Sequence, residues 1–124
     1  MLLDDFFKIV GSSKEDEKTI VIVELNKEQK IYEGHFPGNP VVPGVCLIQM
    51  IKETIETLLG KKLMMTAADE IKFLNIVNPL TANRLSIEIK SRINTGNPLA
   101  FAIIITDGTV TYLKMRAEFV ERSE

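Results

Sequence analysis

Between Pro43 and Gly60 the apolar residues Leu47, Ile48, Ile51, Ile55 and Leu58 recur at helical spacing, and no other stretch of the chain carries a long pattern of this kind. A single long amphipathic helix has to bury its apolar stripe against something else, and the rest of this sequence offers strands. Pro43 suits a first helical position, where its missing N–H is no loss, and Gly60 is placed to end the helix in a left-handed turn.

Ahead of that helix, Leu2 to Val10 mixes two aromatics with aliphatics, and Thr19 to Leu25 is rich in β-branched residues. The polar run Ser12 to Lys18 between them reads as the solvated turn of a hairpin. Asn26 to Phe36 reads as a polar connector, and Pro37-Gly38-Asn39-Pro40 dictates a compact non-helical loop. After the helix, residues 62–66, 70–77, 84–93, 99–106 and 109–121 look like strands, with Asp107-Gly108 as a hairpin turn between the last two. The inventory is α+β, a curved antiparallel β-sheet wrapped around one long central α-helix, in a single domain over residues 1–124. Such an open sheet leaves an edge, and a dimer that continues the sheet would cover it.

Composition narrows the functional classes. An apolar content of 45% in 124 residues is enough for a real core. The net charge is -2, with Lys and Arg scattered rather than gathered into a stripe, so nothing marks a nucleic-acid surface. One cysteine, Cys46, excludes an internal disulfide, and the N-terminus lacks the basic-then-apolar pattern of a secretory signal, so the reading is cytoplasmic. No apolar run approaches the roughly 20 residues that cross a bilayer, so no membrane insertion is expected. One His and one Cys without a spaced carboxylate cluster supply no metal ligand set, and no cofactor motif is present.

Residues 34 to 45 read Gly-His-Phe-Pro-Gly-Asn-Pro-Val-Val-Pro-Gly-Val. This run resembles the signature of the FabZ and FabA family of 3-hydroxyacyl-acyl carrier protein dehydratases, with three prolines, three glycines and the His-Phe pair in the family's spacing. The likeness extends more loosely over the chain in element order and in Lys72-Phe73 followed by Val77 and Pro79. It implies a hotdog fold and a homodimer, or a hexamer built as a trimer of dimers, with two active sites in tunnels at the dimer interface. It also implies a 3-hydroxyacyl group on acyl carrier protein as substrate, converted to the trans-2-enoyl thioester and water.

By the same resemblance, His35 matches the histidine that takes a proton from C2. Gly44 stands where a backbone N–H polarises the thioester carbonyl, and the Val41 carbonyl orients the imidazole. Phe36 falls among the substrate-binding positions. The family's acid, contributed from the helix of the other subunit, falls on Gln49, where this sequence departs from the pattern. An amide gives and accepts hydrogen bonds but has no titratable proton to supply.

The residues support that chemistry independently. Enolate charge beside a thioester needs a base of near-neutral pKa and fixed donors aimed at the carbonyl oxygen. The chain has one histidine, close in sequence to a helix N-terminus with orphan N–H groups and the positive end of the helix dipole. Gly44 there carries no side chain to block a ligand. Outside such a motif, His35 would read as a loop histidine satisfied by nearby backbone.

Gln49 is the only polar residue between Pro43 and Ile51 and needs a partner, either the neighbouring loop or the substrate hydroxyl or a water. Glu53, one turn on, is a stand-in acid or, more ordinarily, a partly solvated residue. Cys46 reads as a small buried hydrophobe, and Met50, Met64 and Met65 as core or as lining of an acyl tunnel. Two readings compete with the dehydratase: a hotdog acyl-thioesterase in which Gln49 holds an attacking water, and a catalytically degenerate subunit that binds acyl carrier protein.

Overall fold

The computed structural model describes residues 2–28, 41–93 and 99–122, the side chains of 92 and 93 excepted. Its elements are β1 (Phe7–Glu15), β2 (Lys18–Leu25), α1 (Gly44–Leu59), β3 (Leu63–Phe73), β4 (Arg84–Ile93), β5 (Leu99–Thr106) and β6 (Thr111–Glu121). The six strands form one antiparallel sheet in the order β1-β2-β4-β5-β6-β3. The expected sheet around one long helix is therefore borne out, and its two edges are β1 and β3.

Period-two alternation explains the core. Val21, Val23 and Leu25 of β2, Leu85, Ile87 and Ile89 of β4, Phe101, Ile103 and Ile105 of β5, and Leu113, Met115, Ala117 and Phe119 of β6 are all buried. They form one cluster with the apolar stripe of α1, Cys46, Leu47, Met50, Ile51 and Ile55. Met50 thereby resolves as core, whereas Met64 is half exposed on β3. At the far end of α1, Gly60 takes φ 66°, its N–H bonds the Glu56 carbonyl at 2.8 Å, and the Glu56 carboxylate accepts from Leu63 N–H at 2.8 Å.

Several boundaries differ from the sequence expectation, each for a local reason. Leu2 to Phe6 is not strand: Asp5 N–H and Phe6 N–H both bond the Leu2 carbonyl, closing a turn before β1 begins. The hairpin turn is only Asp16-Glu17, because Glu15 already pairs with Lys18 and Asp16 adopts φ 54°. Polar residues 12–15 are strand, since an edge strand needs no apolar outer side. Pro43 is the N-cap rather than the first helical residue; its ψ of 143° is extended, while its carbonyl accepts from Cys46 N–H and Leu47 N–H.

The segments 62–66 and 70–77 are mostly one strand, β3, which runs through two bulges, at Met65/Ala67 and Ala68/Glu70. It stops at Phe73, after which Leu74 N–H and Asn75 N–H both turn to the Tyr112 carbonyl. The last strand begins at Thr111, because the Asp107 carboxylate takes the N–H groups of Thr109 and Val110 into the turn.

Candidate active site

The loop that leads into α1 is pinned to the sheet at Val42, whose N–H bonds the Val77 carbonyl at 2.9 Å. That bond sets the depth at which the helix starts. Val41 before it is half buried, and Pro43 and Gly44 follow with partial exposure. His35 and Phe36 lie outside the described residues.

Gly44 opens the helix, and a proline at the N-cap has no side chain able to cap the first N–H groups. The room left by the missing side chain is occupied. A Cβ at Gly44 would stand 2.9 Å from both Cε1 and Cζ of Phe73, so the ring lies directly on the glycine. The sequence reading treated that room as space for a ligand; the ring claims it on the side where a Cβ would point. Phe73 itself is half exposed, as are Leu74 and Leu80, while Val45 is 76% and Ile76 71% exposed. These apolar groups sit on the two segments that the Val42–Val77 bond and the Gly44–Phe73 contact hold together.

Gln49 lies five residues beyond Gly44, about 7.5 Å along the helix axis and about 140° around it. The two positions face different sides, so a single chain does not aim both at one small substrate. Gln49 is half buried, and its amide finds its partner on its own helix: Nε2 donates to Glu53 Oε2 at 2.7 Å, the i to i+4 spacing. The loop considered from the sequence as a partner runs through residues 29–40, outside the described residues.

Glu53 is 1% exposed, which overturns the expectation of a partly solvated residue. Its Oε1 accepts from Leu2 N–H at 3.0 Å and Leu3 N–H at 2.7 Å, and its Oε2 from Leu2 N–H at 2.9 Å and from Gln49. Burial pushes the carboxyl up, but the bonds from Leu2 N–H, the Gln49 amide and Leu3 N–H outweigh it and hold the pKa below the ordinary value of 4.5. Glu53 is thus an ionised acceptor with both oxygens engaged and no proton to give, so the role of stand-in acid is closed to it.

The sequence reading missed this anchor for the N-terminal residues. The signal available was a Gln and a Glu four apart in an otherwise apolar helical stretch, since two polar residues so placed satisfy each other and whatever backbone lies over them. Cys46 is buried, and burial pushes its thiol pKa up, which suits a packing residue and not a nucleophile. Among the described residues no three His, Cys, Asp or Glu side chains are gathered as for a metal ion, and no helix is long and apolar enough to cross a membrane.

Comparison with known proteins gives a consistent family. Residues 11–114 match the family model of the ApeI-like proteins, described as ApeI dehydratase. The 3-hydroxyacyl-[acyl-carrier-protein] dehydratase FabZ of Pediococcus pentosaceus is 36% identical over 107 residues, 80% of this chain and 72% of the relative. Among solved structures, the dehydratase heterocomplex ApeI:P from Xenorhabdus doucetiae aligns with TM-score 0.69 at 19% identity, over 91% of this chain and 96% of that one. A hypothetical thioesterase with coenzyme A from Streptococcus pneumoniae aligns with TM-score 0.64 at 13% identity, over 94% and 88%. At these identities the two structures speak for the hotdog fold alone.

Proposed function

The chain belongs to the ApeI-like dehydratase family, and from that premise we propose that it removes water from a 3-hydroxyacyl thioester carried on acyl carrier protein, giving the trans-2-enoyl thioester. The observation that carries this reading is the start of α1. A helix N-terminus at Gly44 that its N-cap Pro43 does not cap, held against the sheet by the Val42–Val77 bond, would be a fixed donor site for the oxygen of an enolate. His35 is the base that takes the C2 proton. As the C3–O bond breaks and the C2=C3 bond forms, the imidazolium returns that proton to the departing hydroxyl, which leaves as water. The Val41 carbonyl orients the imidazole, Phe36 contributes to the acyl wall, and Gln49 holds the 3-hydroxyl.

Gly44 and Gln49 face different sides of one helix, so a complete site combines Gly44 of one subunit with Gln49 contributed by a second copy. The surface for such a homodimer is the apolar ground around the helix start, Val45, Phe73, Leu74, Ile76 and Leu80, continuous with the outer edge of β3. Large exposed apolar groups gathered in this way are what an association surface looks like.

The test is an assay of 3-hydroxyacyl thioesters of several chain lengths with the parent, His35→Ala and Gln49→Glu. Enoyl thioester should form with the parent, and His35→Ala should lose at least about a hundredfold in kcat; Gln49→Glu sets a carboxyl against the Glu53 carboxylate and should gain only when Glu53→Gln accompanies it. A parent that forms no enoyl product, or a His35→Ala variant that behaves like it, would overturn the reading. The amide at position 49 favours one second reading, thioester hydrolysis, because it can hold a water where it cannot supply a proton. Release of free thiol without enoyl product would select that reaction.

A further inference from the structure

Gln49 has two ends of opposite hydrogen-bonding character, and its usefulness to a substrate hydroxyl depends on which end faces out. The neighbour decides this. Glu53 is an acceptor only, with both oxygens already taking backbone N–H groups, so the Gln49 NH2 has to turn toward it and the carbonyl oxygen away. The 2.7 Å Nε2 to Oε2 bond is charge-assisted and sits beside a side chain that is 1% exposed, which makes the opposite orientation, carbonyl against carboxylate, a repulsive contact in a water-poor setting.

We propose that Glu53 is the positioning residue of this dehydratase: it locks the Gln49 amide so that the carbonyl oxygen accepts the O–H of the 3-hydroxyl. The inference rests on the dehydratase reading and on Gln49 contacting the substrate. Its chemical consequence is specific. A hydroxyl whose hydrogen is held by Gln49 Oε1 turns a lone pair the other way, toward the imidazolium formed when the C2 proton is taken. That one proton then goes from nitrogen to the departing oxygen, C3–O breaks, and no second acid is needed. Glu53 stays ionised throughout, and its anchorage of Leu2 and Leu3 keeps it in place.

The protein has only two glutamines, Gln29 and Gln49, so side-chain 15N labelling of glutamine gives two amide pairs. In the parent, one pair should show a strongly downfield, slowly exchanging proton from donation to the carboxylate, and Glu53→Gln should bring it back toward the ordinary position. Two ordinary solvent-like pairs in the parent would overturn the proposal whether or not any variant folds. In turnover, Glu53→Gln should lower kcat about tenfold, as misorientation does, while KM moves less than twofold.

The exchanged pair Gln49→Glu with Glu53→Gln keeps a donor–acceptor match and puts a carboxyl at position 49, so it should recover at least the parent kcat. An exchanged pair as slow as Glu53→Gln alone, or a Glu53→Gln variant with unchanged kcat, would count against positioning. A parent with no dehydratase turnover but the shifted amide signal would instead sink the dehydratase reading and leave the Glu53–Gln49 lock standing.

Discussion

The start of α1 and its middle lie within three turns of each other and solve opposite problems. At the start, Val45, Phe73 and Ile76 are exposed apolar groups, Phe73 lies against Gly44, and the N-cap Pro43 makes no side-chain cap bond. In the middle, Gln49 and Glu53 bury polar atoms that the chain's own N-terminal backbone completes. Under the proposed function, the exposed apolar start is the part that a second copy and a substrate complete. A buried carboxylate tolerates no missing partner and is finished before any ligand arrives. The difference teaches that the helix amide is oriented by folding alone, whereas the exposed helix start is the part that the proposed assembly would complete.

The largest expected effect comes from attacking the open region. Val45→Asp together with Ile76→Asp should weaken self-association by about a hundredfold or more, because charge would have to be buried on association. Sedimentation velocity and enoyl formation, followed together, should show activity vanishing with the dimer. A variant that stays dimeric would remove the helix start from the interface.

Next is the closed region. Glu53→Ala strands two backbone N–H groups and the Gln49 amide, and chemical denaturation should register a loss of about 3 kcal/mol. Its pH signature has a definite sign. The folded pKa of Glu53 is lowered from 4.5, so its contribution is whole above the ordinary carboxylate range and is lost as the pH falls through that range toward the folded value. The stability gap between parent and Glu53→Gln should therefore narrow on acidification, and a gap that widened would reverse the assignment.

A smaller effect is expected at Gly44→Ala, where the new methyl meets the Phe73 ring at 2.9 Å. Because that ring is half exposed and can swing, the cost should be about 1 kcal/mol, and adding Phe73→Ala should relieve it in thermal melts. The smallest belongs again to the middle. Thr54 is fully buried and its hydroxyl has no hydrogen-bond partner among the described residues, so Thr54→Val should be neutral or stabilising by up to about 1 kcal/mol.

Much of the fold was legible because it rests on local rules. Helical spacing with Gly60 after it marked α1, β-branched residues marked β2, the strand-like runs at 84–93 and 99–106 became β4 and β5, and Asp107-Gly108 marked a turn. The errors fell where a neighbour overrode the local pattern: bulges that carry β3 through its polar break, and the turn at Leu2 to Phe6 that places backbone amides over the helix. In the site, the resemblance and the helix start pointed to Gly44 and Gln49. The structure describes both of these, and the motif residues His35 and Phe36 fall outside what it describes.

By itself, the sequence determined residue types and their spacing: one histidine near a helix start, a glycine at that start, and an amide and a carboxylate one turn apart along the helix. Only the tertiary structure decided which groups meet. Phe73 is 29 residues from Gly44 and Leu2 is 51 from Glu53, and no periodicity predicts such contacts. They exist because packing the helix on the sheet brings distant segments to hydrogen-bonding range, and a buried carboxylate is stable only where that packing supplies donors.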